Sequence, residues 1–402
     1  MAQQIDICGD DRIMRYGFKD VVIDSRTGLN PRKNFVLGNG DNNYITIKDI
    51  YNGQINITDK TDKVDDEAIQ IVKKRSRIKV GDILFVSIGR IGETAIVEAK
   101  DDTWDVNESV FVFTINKEII TPEYFCTLFQ SDAMQKYLAG NSSGSTFKSI
   151  KMKQLEKMVF DLPPLEVQKD ITAKLSKVKA VCAKRSSELM DLDNLIKARF
   201  VEMFGDPVSN PKGWEKKSLS DEAEIKIGPF GSLLHKEDYI TGGHALVNPS
   251  HIVDGQIVPD NELTVSDEKY CELAAYHLKE GDVVMGRRGE MGRCAVVQQA
   301  GLLCGTGSLL IRSYGDLSAD YIQKIISFPS FKRTIEDMAV GQTMPNLNVP
   351  IVSAFQIIKP PKEVQEQYYA FAAQVDKSKV AVQKALDETQ LLFDSLMQKY
   401  FG

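Results

Sequence analysis

Between residues 171 and 203 the apolar or long side chains recur at alternating steps of four and three. They are Ile171, Leu175, Val178, Cys182, Arg185, Leu189, Leu192, Ile196, Arg199 and Met203. This spacing keeps one stripe of a helix turned toward a partner and predicts a coiled-coil seam. A second seam runs through Tyr368, Ala372, Val375, Lys379, Val382, Leu386, Thr389, Phe393, Leu396 and Tyr400. Both stretches are punctuated as helices. Pro164 and Pro361 suit a first turn, where a missing N–H costs nothing. Glu166 and Glu363 suit a helix N-terminus, and Gly205 with Pro207 beyond it suits a stop. Elsewhere the period shortens. Ile83 to Ile88 and Val283 to Met285 predict short buried strands, and Gly89-x-x-Gly92 and Gly289-x-x-Gly292 predict turns. Thr121 to Leu138 and Ser318 to Met338 are expected to be helical, because apolar residues recur there at three and four.

The two seams belong to a larger duplication. Lys79-Val80-Gly81-Asp82-Ile83-Leu84 returns 200 residues later as Lys279-Glu280-Gly281-Asp282-Val283-Val284. Ile50 to Ile55 pairs with Ile252 to Ile257 at an offset of 202, and Glu166-Val167-Gln168 with Glu363-Val364-Gln365 at 197. Small drifts in offset are what loop insertions and deletions produce. Two full units and little else are therefore expected: a mixed domain over 1–160, a long helix over 161–206, a second mixed domain over 207–357 and a second helix over 358–402. The expected fold class is α+β, with the two helices packed as an antiparallel coiled coil about a pseudo-twofold axis; the rival is that each helix packs only on its own mixed domain. Forty residues at ~1.5 Å each make a rod of roughly 60 Å, enough to hold two domains a DNA turn of ~34 Å apart.

Composition narrows the chemistry. The hydrophobic share of 43% and charged share of 26% are those of a soluble globular protein. No apolar run approaches a membrane span, and the first residues lack a signal-peptide pattern, so a cytoplasmic location is expected. The six cysteines are scattered without a CxxC pair, and His235, His244, His251 and His277 show no metal-ligand spacing. No metal site is expected. A net charge of -6 requires that any nucleic-acid surface be local or shared with partners. Catalysis finds no support: the prolines of Leu162-Pro163-Pro164-Leu165 and Lys359-Pro360-Pro361-Lys362 lack the flanks of an adenine-N6 methyltransferase motif. Gly140 to Thr146 lacks the lysine of a P-loop, and Glu224-x-Lys226 behind Asp206 is too short a match for a nuclease.

Several segments together resemble the DNA-specificity subunits of type I restriction–modification systems. These are Pro163-Pro164-Leu165-Glu166-x-Gln168 opening a long helix, the duplicated Gly-Asp strands, and Trp214-x-x-x-x-Leu219. Gly228-Pro229-Phe230-Gly231-Ser232 and Gly341-Gln342-Thr343-x-Pro345-Asn346-Leu347 add to them. The first unit has Gly28-Leu29-Asn30-Pro31-Arg32 in place of the Gly-Pro-Phe-Gly-Ser segment. The resemblance implies two target-recognition domains, each reading one half of a bipartite site in double-stranded DNA. It also implies two methyltransferase subunits docked on the helices and, optionally, two motor-nuclease subunits. S-adenosylmethionine would then bind the methyltransferase subunits, and this chain would bind no cofactor. The rival readings are an enzyme acting on DNA alone, as a fused methyltransferase or nuclease, and a coiled-coil scaffold with no DNA role.

The mismatched stretches are where two half-sites would be read. Lys73, Lys74, Arg75, Arg77 and Lys79 put five positive charges in seven residues, against a nearly neutral counterpart at 273–279. Such a cluster suits phosphate contacts or, equally, a solvated turn. Arg287, Arg288 and Arg293 stand among glycines, where arginine can pair with guanine O6 and N7 or simply decorate a turn. The first copy has Arg90 without the doublet. Lys148, Gln342 and Thr343 lie in polar loops that could contact DNA or brace the domain against its helix.

Overall fold

The computed structural model describes residues 4–5, 13–31, 34–144, 147–339 and 346–402. It divides into two units, Met1–Ser187 with Val382–Gly402, and Glu188–Ala381.

In the first unit an antiparallel sheet runs in the order Val22–Thr27, Val110–Ile115, Ile83–Val86, Thr94–Ile96. Side chains alternate across a strand, so Ile83 and Phe85 face one way and Leu84 and Val86 the other. Ile83 and Phe85 join Phe113, Phe125 and Phe129 in one core. Leu84 and Val86 pack with Ile45, Trp104 and Val106 in another. Both faces are covered, which is why the strand reads as an unbroken apolar run. The second core is closed by a smaller sheet ordered Trp104–Val106, Asn42–Ile45, Asp62–Val64. Helix Asp66–Ser76 lies over it through Ala68, Ile69 and Val72.

The second unit repeats this plan. Its sheet runs Ala223–Ile227, Ser308–Ser313, Val283–Gly286, Cys294–Val296, and the companion sheet again holds a parallel pair, His244–Val247 beside Leu302–Cys304. Strand register extends the equivalence to the start of the first copy. Val159 pairs with Gly17 as Gln356 pairs with Ser218, so Ile13–Gly17 occupies the place of Glu215–Ser218. Gly28 and Gly228 correspond as well. A Cβ on Gly28 would lie 1.7 Å from the Val106 carbonyl oxygen, and one on Gly228 2.0 Å from that of Gly305. Both loops press backbone on backbone at the same point, and only glycine permits it.

Two local expectations need correction. The helices expected over Thr121 to Leu138 and Ser318 to Met338 are each two helices: Pro122–Phe129 and Asp132–Asn141, then Ala319–Ser327 and Pro329–Met338. Ser131 stops the first by capping the second, its hydroxyl accepting from Met134 N at 3.3 Å. Pro329, which has no N–H to continue a helix, begins the fourth. The long helices are Leu165–Phe204 and Lys362–Phe401, so Pro164 and Pro361 stand just before the first turn rather than inside it. Their carbonyls accept the first helical bonds from Val167 and Gln168, and from Val364 and Gln365.

Every seam position on both long helices is buried or half-buried, and the positions between are mostly exposed. That holds for Leu175, Val178, Leu189, Leu192 and Ile196 on one helix, and for Val375, Val382, Leu386, Phe393 and Leu396 on the other. Within each unit the two segments run antiparallel. In the first, Ile171 and Leu175 share a core with Leu396, Tyr400 and Phe401, and the Arg185 guanidinium donates to Ala385 O and the Thr389 hydroxyl. In the second, Lys379 pairs with Asp193 at 2.5 Å while the Tyr368 hydroxyl reaches Ile196 O at 3.5 Å. Polar groups at a few seam positions favour one register over its neighbours.

Candidate nucleic-acid interface

In each unit three loops meet at the end of the Gly-Asp strand. In the first, Ser87 N donates to Ser109 O at 3.0 Å, Ile150 N to Ser87 O at 2.9 Å and Gly89 N to Lys148 O at 3.0 Å. In the second, Arg287 N donates to Gly307 O at 3.0 Å and Leu347 N to Arg287 O at 2.9 Å, with Arg288 bridged to Asn346. Gly89 and Gly289 turn the chain back at φ +76° and +80°. The backbone frame is therefore shared, and the side chains on it differ. The strand-end loop and the described end of the polar loop, residues 148–150 in one unit and 346–347 in the other, are far apart in sequence and hydrogen-bonded side by side.

Along these loops the candidate residues divide. Arg90 is tied down: its Nη2 donates to Ile47 O at 2.8 Å and Ile50 O at 2.9 Å, and its guanidinium lies 5.9 Å from the Tyr51 ring centre. Arg293 is likewise held by Glu290 at 2.6 Å and by Pro249 O at 3.2 Å. Both arginines brace loops. Lys148 is exposed beside Arg90 along an open groove with Gln130, Gln135 and Ser142. Arg287 is half-buried, its Nε donating to Asn346 Oδ1 at 3.1 Å. Burial, and then the neighbouring Arg288, push its pKa down. Arg288 is exposed, and its side chain has no hydrogen-bond or ion-pair partner among the described residues. Gln342 and Thr343 lie outside the described residues.

The basic run is elsewhere. Lys73, Lys74 and Arg75 form the last turn of helix Asp66–Ser76, where cations suit the helix C-terminus, and Arg77 caps it at φ +46°. Lys73 meets Asp102 at 2.5 Å and holds that carboxyl below its usual range, while Arg77 lies 3.7 Å from Asp24. Lys74, Arg75 and Lys79 are exposed without ion-pair partners among the described residues. Lys79 sits in the turn that opens strand Ile83–Val86, whereas Arg90 and Lys148 sit beyond its other end. The structure does not bring these two groups together.

Sequence reasoning used the duplicated Gly-Asp pair to trace the repeat and overlooked its carboxylate. Asp82 is buried and accepts from Lys79 N at 2.8 Å, the Thr114 hydroxyl at 2.6 Å and Arg26 at 3.0 Å. Asp282 accepts from Lys279 N at 2.6 Å and from both Nε and Nη2 of Arg312, at 2.8 and 2.7 Å. The guanidinium comes from the edge strand in one copy and from the adjoining strand in the other. A second overlooked device is the motif glutamine. Gln168 Oε1 accepts from Thr121 N at 3.0 Å while Nε2 donates to Ile119 O and Pro163 O at 2.8 and 2.9 Å. Gln365 does the same with Ser318 N, Asp316 O and Pro360 O. Each locks a long helix to the mixed domain preceding it. Recurrence of both residues at the repeat offset was the signal that could have found them.

Among the described residues no group of His, Cys, Asp and Glu is arranged to hold a metal ion. His244 and His277 instead stack on either face of Tyr270, with ring centres 3.8 and 3.7 Å apart. Burial pushes the Cys126, Cys294 and Cys304 thiols up to about 12, as for small core hydrophobes. No helix among the described residues is long and apolar enough to cross a membrane.

The type I restriction modification DNA specificity domain matches twice, over residues 18–189 and 211–389. The chain belongs to that family. It is a type I restriction–modification specificity subunit, for which the family implies DNA recognition and assembly with other subunits of the system. The MjaIX specificity subunit of Methanocaldococcus jannaschii is 25% identical over 391 residues, covering 90% of this chain and 86% of the relative. The EcoBI specificity subunit of Escherichia coli is 27% identical over 134 residues, 33% of this chain and 28% of the relative. In fold, the chain is similar to a solved chain of a type I system studied for complex assembly and conformational transition. The TM-score is 0.64 at 19% identity, with 99% of each chain covered. The S subunit of a type I restriction–modification system from M. genitalium superposes with TM-score 0.53 at 13% identity, over 99% and 98% of the two chains. Both specificity domains thus coincide with the two copies of the repeat.

Proposed function

We propose that this specificity subunit reads a bipartite, asymmetric site in double-stranded DNA, one half with each unit. The observation that carries the reading is the shared frame with unlike side chains. Ser87, Ile88 and Ser149 stand in the first unit where the second presents Arg287, Arg288 and Asn346. Two different readers in one chain recognise two different half-sites, and a spacer of two long helices leaves a gap between them. Lys74, Arg75 and Lys79 supply phosphate contacts that position the duplex without specifying it.

The chain itself is non-catalytic in this reading and directs two methyltransferase subunits, which bind S-adenosylmethionine, to the site. Two motor-nuclease subunits complete the assembly where the system restricts as well as modifies. The acidic net charge fits a subunit whose partners share the DNA contact.

The test is genome-wide mapping of methylated bases with and without this chain. A gapped two-part motif that disappears on deletion is the expected result. A purified complex without sequence preference, or methylation or cleavage by the chain alone, would overturn the proposal.

A further inference from the structure

Arg287 differs from three other arginines of the chain in what it lacks. Arg26, Arg293 and Arg312 each meet a carboxylate, Asp82, Glu290 and Asp282 respectively. Arg287 meets none among the described residues. It is half-buried beside a second cation, and its pKa is lowered on both counts. Breaking a buried charge from its partner is costly, so a guanidinium built in without one is matched to an acceptor from outside.

Its geometry is prepared for that acceptor. The backbone is fixed on both sides, by Gly307 O at 3.0 Å and Leu347 N at 2.9 Å. The side chain is fixed once, through Nε on Asn346 Oδ1 at 3.1 Å. That bond occupies Nε, the one guanidinium nitrogen an end-on fork does not use. Both terminal nitrogens remain for O6 and N7 of guanine, whose spacing the planar fork matches. An amide oxygen orients the group without cancelling its charge. In the first unit the equivalent places hold Ser87, whose hydroxyl is spent on Ser109 O at 2.7 Å, and Ser149.

We infer that Asn346 is a positioning residue, holding Arg287 as an end-on fork that reads one guanine in the half-site of the second unit, with Arg288 on an adjacent phosphate. The inference rests on the bipartite reading above.

The experiment uses the complex of this chain with its methyltransferase subunits and duplexes of the mapped motif. Each dG is replaced in turn by 7-deaza-dG, which lacks the N7 acceptor. The wild type should lose about 10- to 100-fold in affinity at one guanine of one half-site. Arg287→Ala and Asn346→Ala should abolish that sensitivity and leave discrimination at the other half-site intact. Asn346→Asp keeps an acceptor for Nε but pairs the guanidinium with a carboxylate, so it should retain the sensitivity while weakening overall affinity. Arg288→Ala should retain it too, while reducing the slope of log affinity against log salt by about 1. Full 7-deaza sensitivity in Asn346→Ala overturns the inference. So does loss of discrimination at both half-sites with a lowered melting temperature, which would make Asn346 merely structural. A gapped motif with no sensitive guanine sinks this inference alone, whereas no gapped motif sinks the bipartite reading beneath it.

Discussion

Replacing Gln168 with alanine should unlock the first mixed domain from its long helix. The side chain is fully buried and makes three hydrogen bonds, all to backbone groups: Thr121 N, Ile119 O and Pro163 O. At about 1 kcal/mol net per bond, truncation costs about 3 kcal/mol, and more if water cannot reach the vacated groups. With a urea slope of about 2 kcal/mol per molar, the unfolding midpoint should fall by about 1.5 M. Each unit has one tryptophan, Trp104 in the first and Trp214 in the second. In a Trp214→Phe background, fluorescence therefore reports the first unit. Gln168→Met separates hydrogen bonding from volume: it fills the same space but leaves the same backbone groups unpaired, so it should destabilise as much as alanine. A midpoint shift below about 0.3 M for alanine, or a neutral methionine variant, would refute the reasoning. The first would mean the groups find other partners, the second that packing carries the contact.

Asp82→Ala should cost about 3 kcal/mol, the low end for breaking a buried pair, because it removes the buried partner of Arg26 and leaves that guanidinium only the more exposed Asp24 at 3.2 Å, and equilibrium unfolding would measure it. Asp105 is wholly buried, and that burial raises its carboxyl pKa. The folded state thus binds its proton more tightly than the unfolded chain, so its contribution is most favourable below the ordinary carboxylate range and is lost as pH rises through the folded pKa. Asp105→Asn should therefore raise the melting temperature at pH 8 and gain progressively less as pH falls, as pH-dependent melting curves would report. Lys74→Ala with Arg75→Ala should weaken DNA binding uniformly and lower the salt slope by about 2, without changing the methylated motif. A changed motif would make these residues readers rather than phosphate contacts.

The pattern of apolar positions was sufficient for the duplication, for the strands Ile83–Val86 and Val283–Gly286, and for both helix seams. Those features depend on local periodicity and on repetition, which a linear chain displays directly. Helix ends were less legible. One expected helix over Thr121 to Leu138 became two because Ser131 could cap a new start, a choice that apolar spacing does not record. The candidate interface was legible only as a list of cations. Whether Arg90 and Arg293 were free, and Arg287 and Arg288 poised, depended on carbonyls and carboxylates brought near them from elsewhere in the chain. The same holds for Asp82 and Asp282, whose matching turns conceal guanidinium partners on different strands. Periodicity tells which face of an element is buried. Which charge is neutralised inside the fold, and which is left without a partner among the described residues, is decided by contacts between distant segments, and only the tertiary structure makes those.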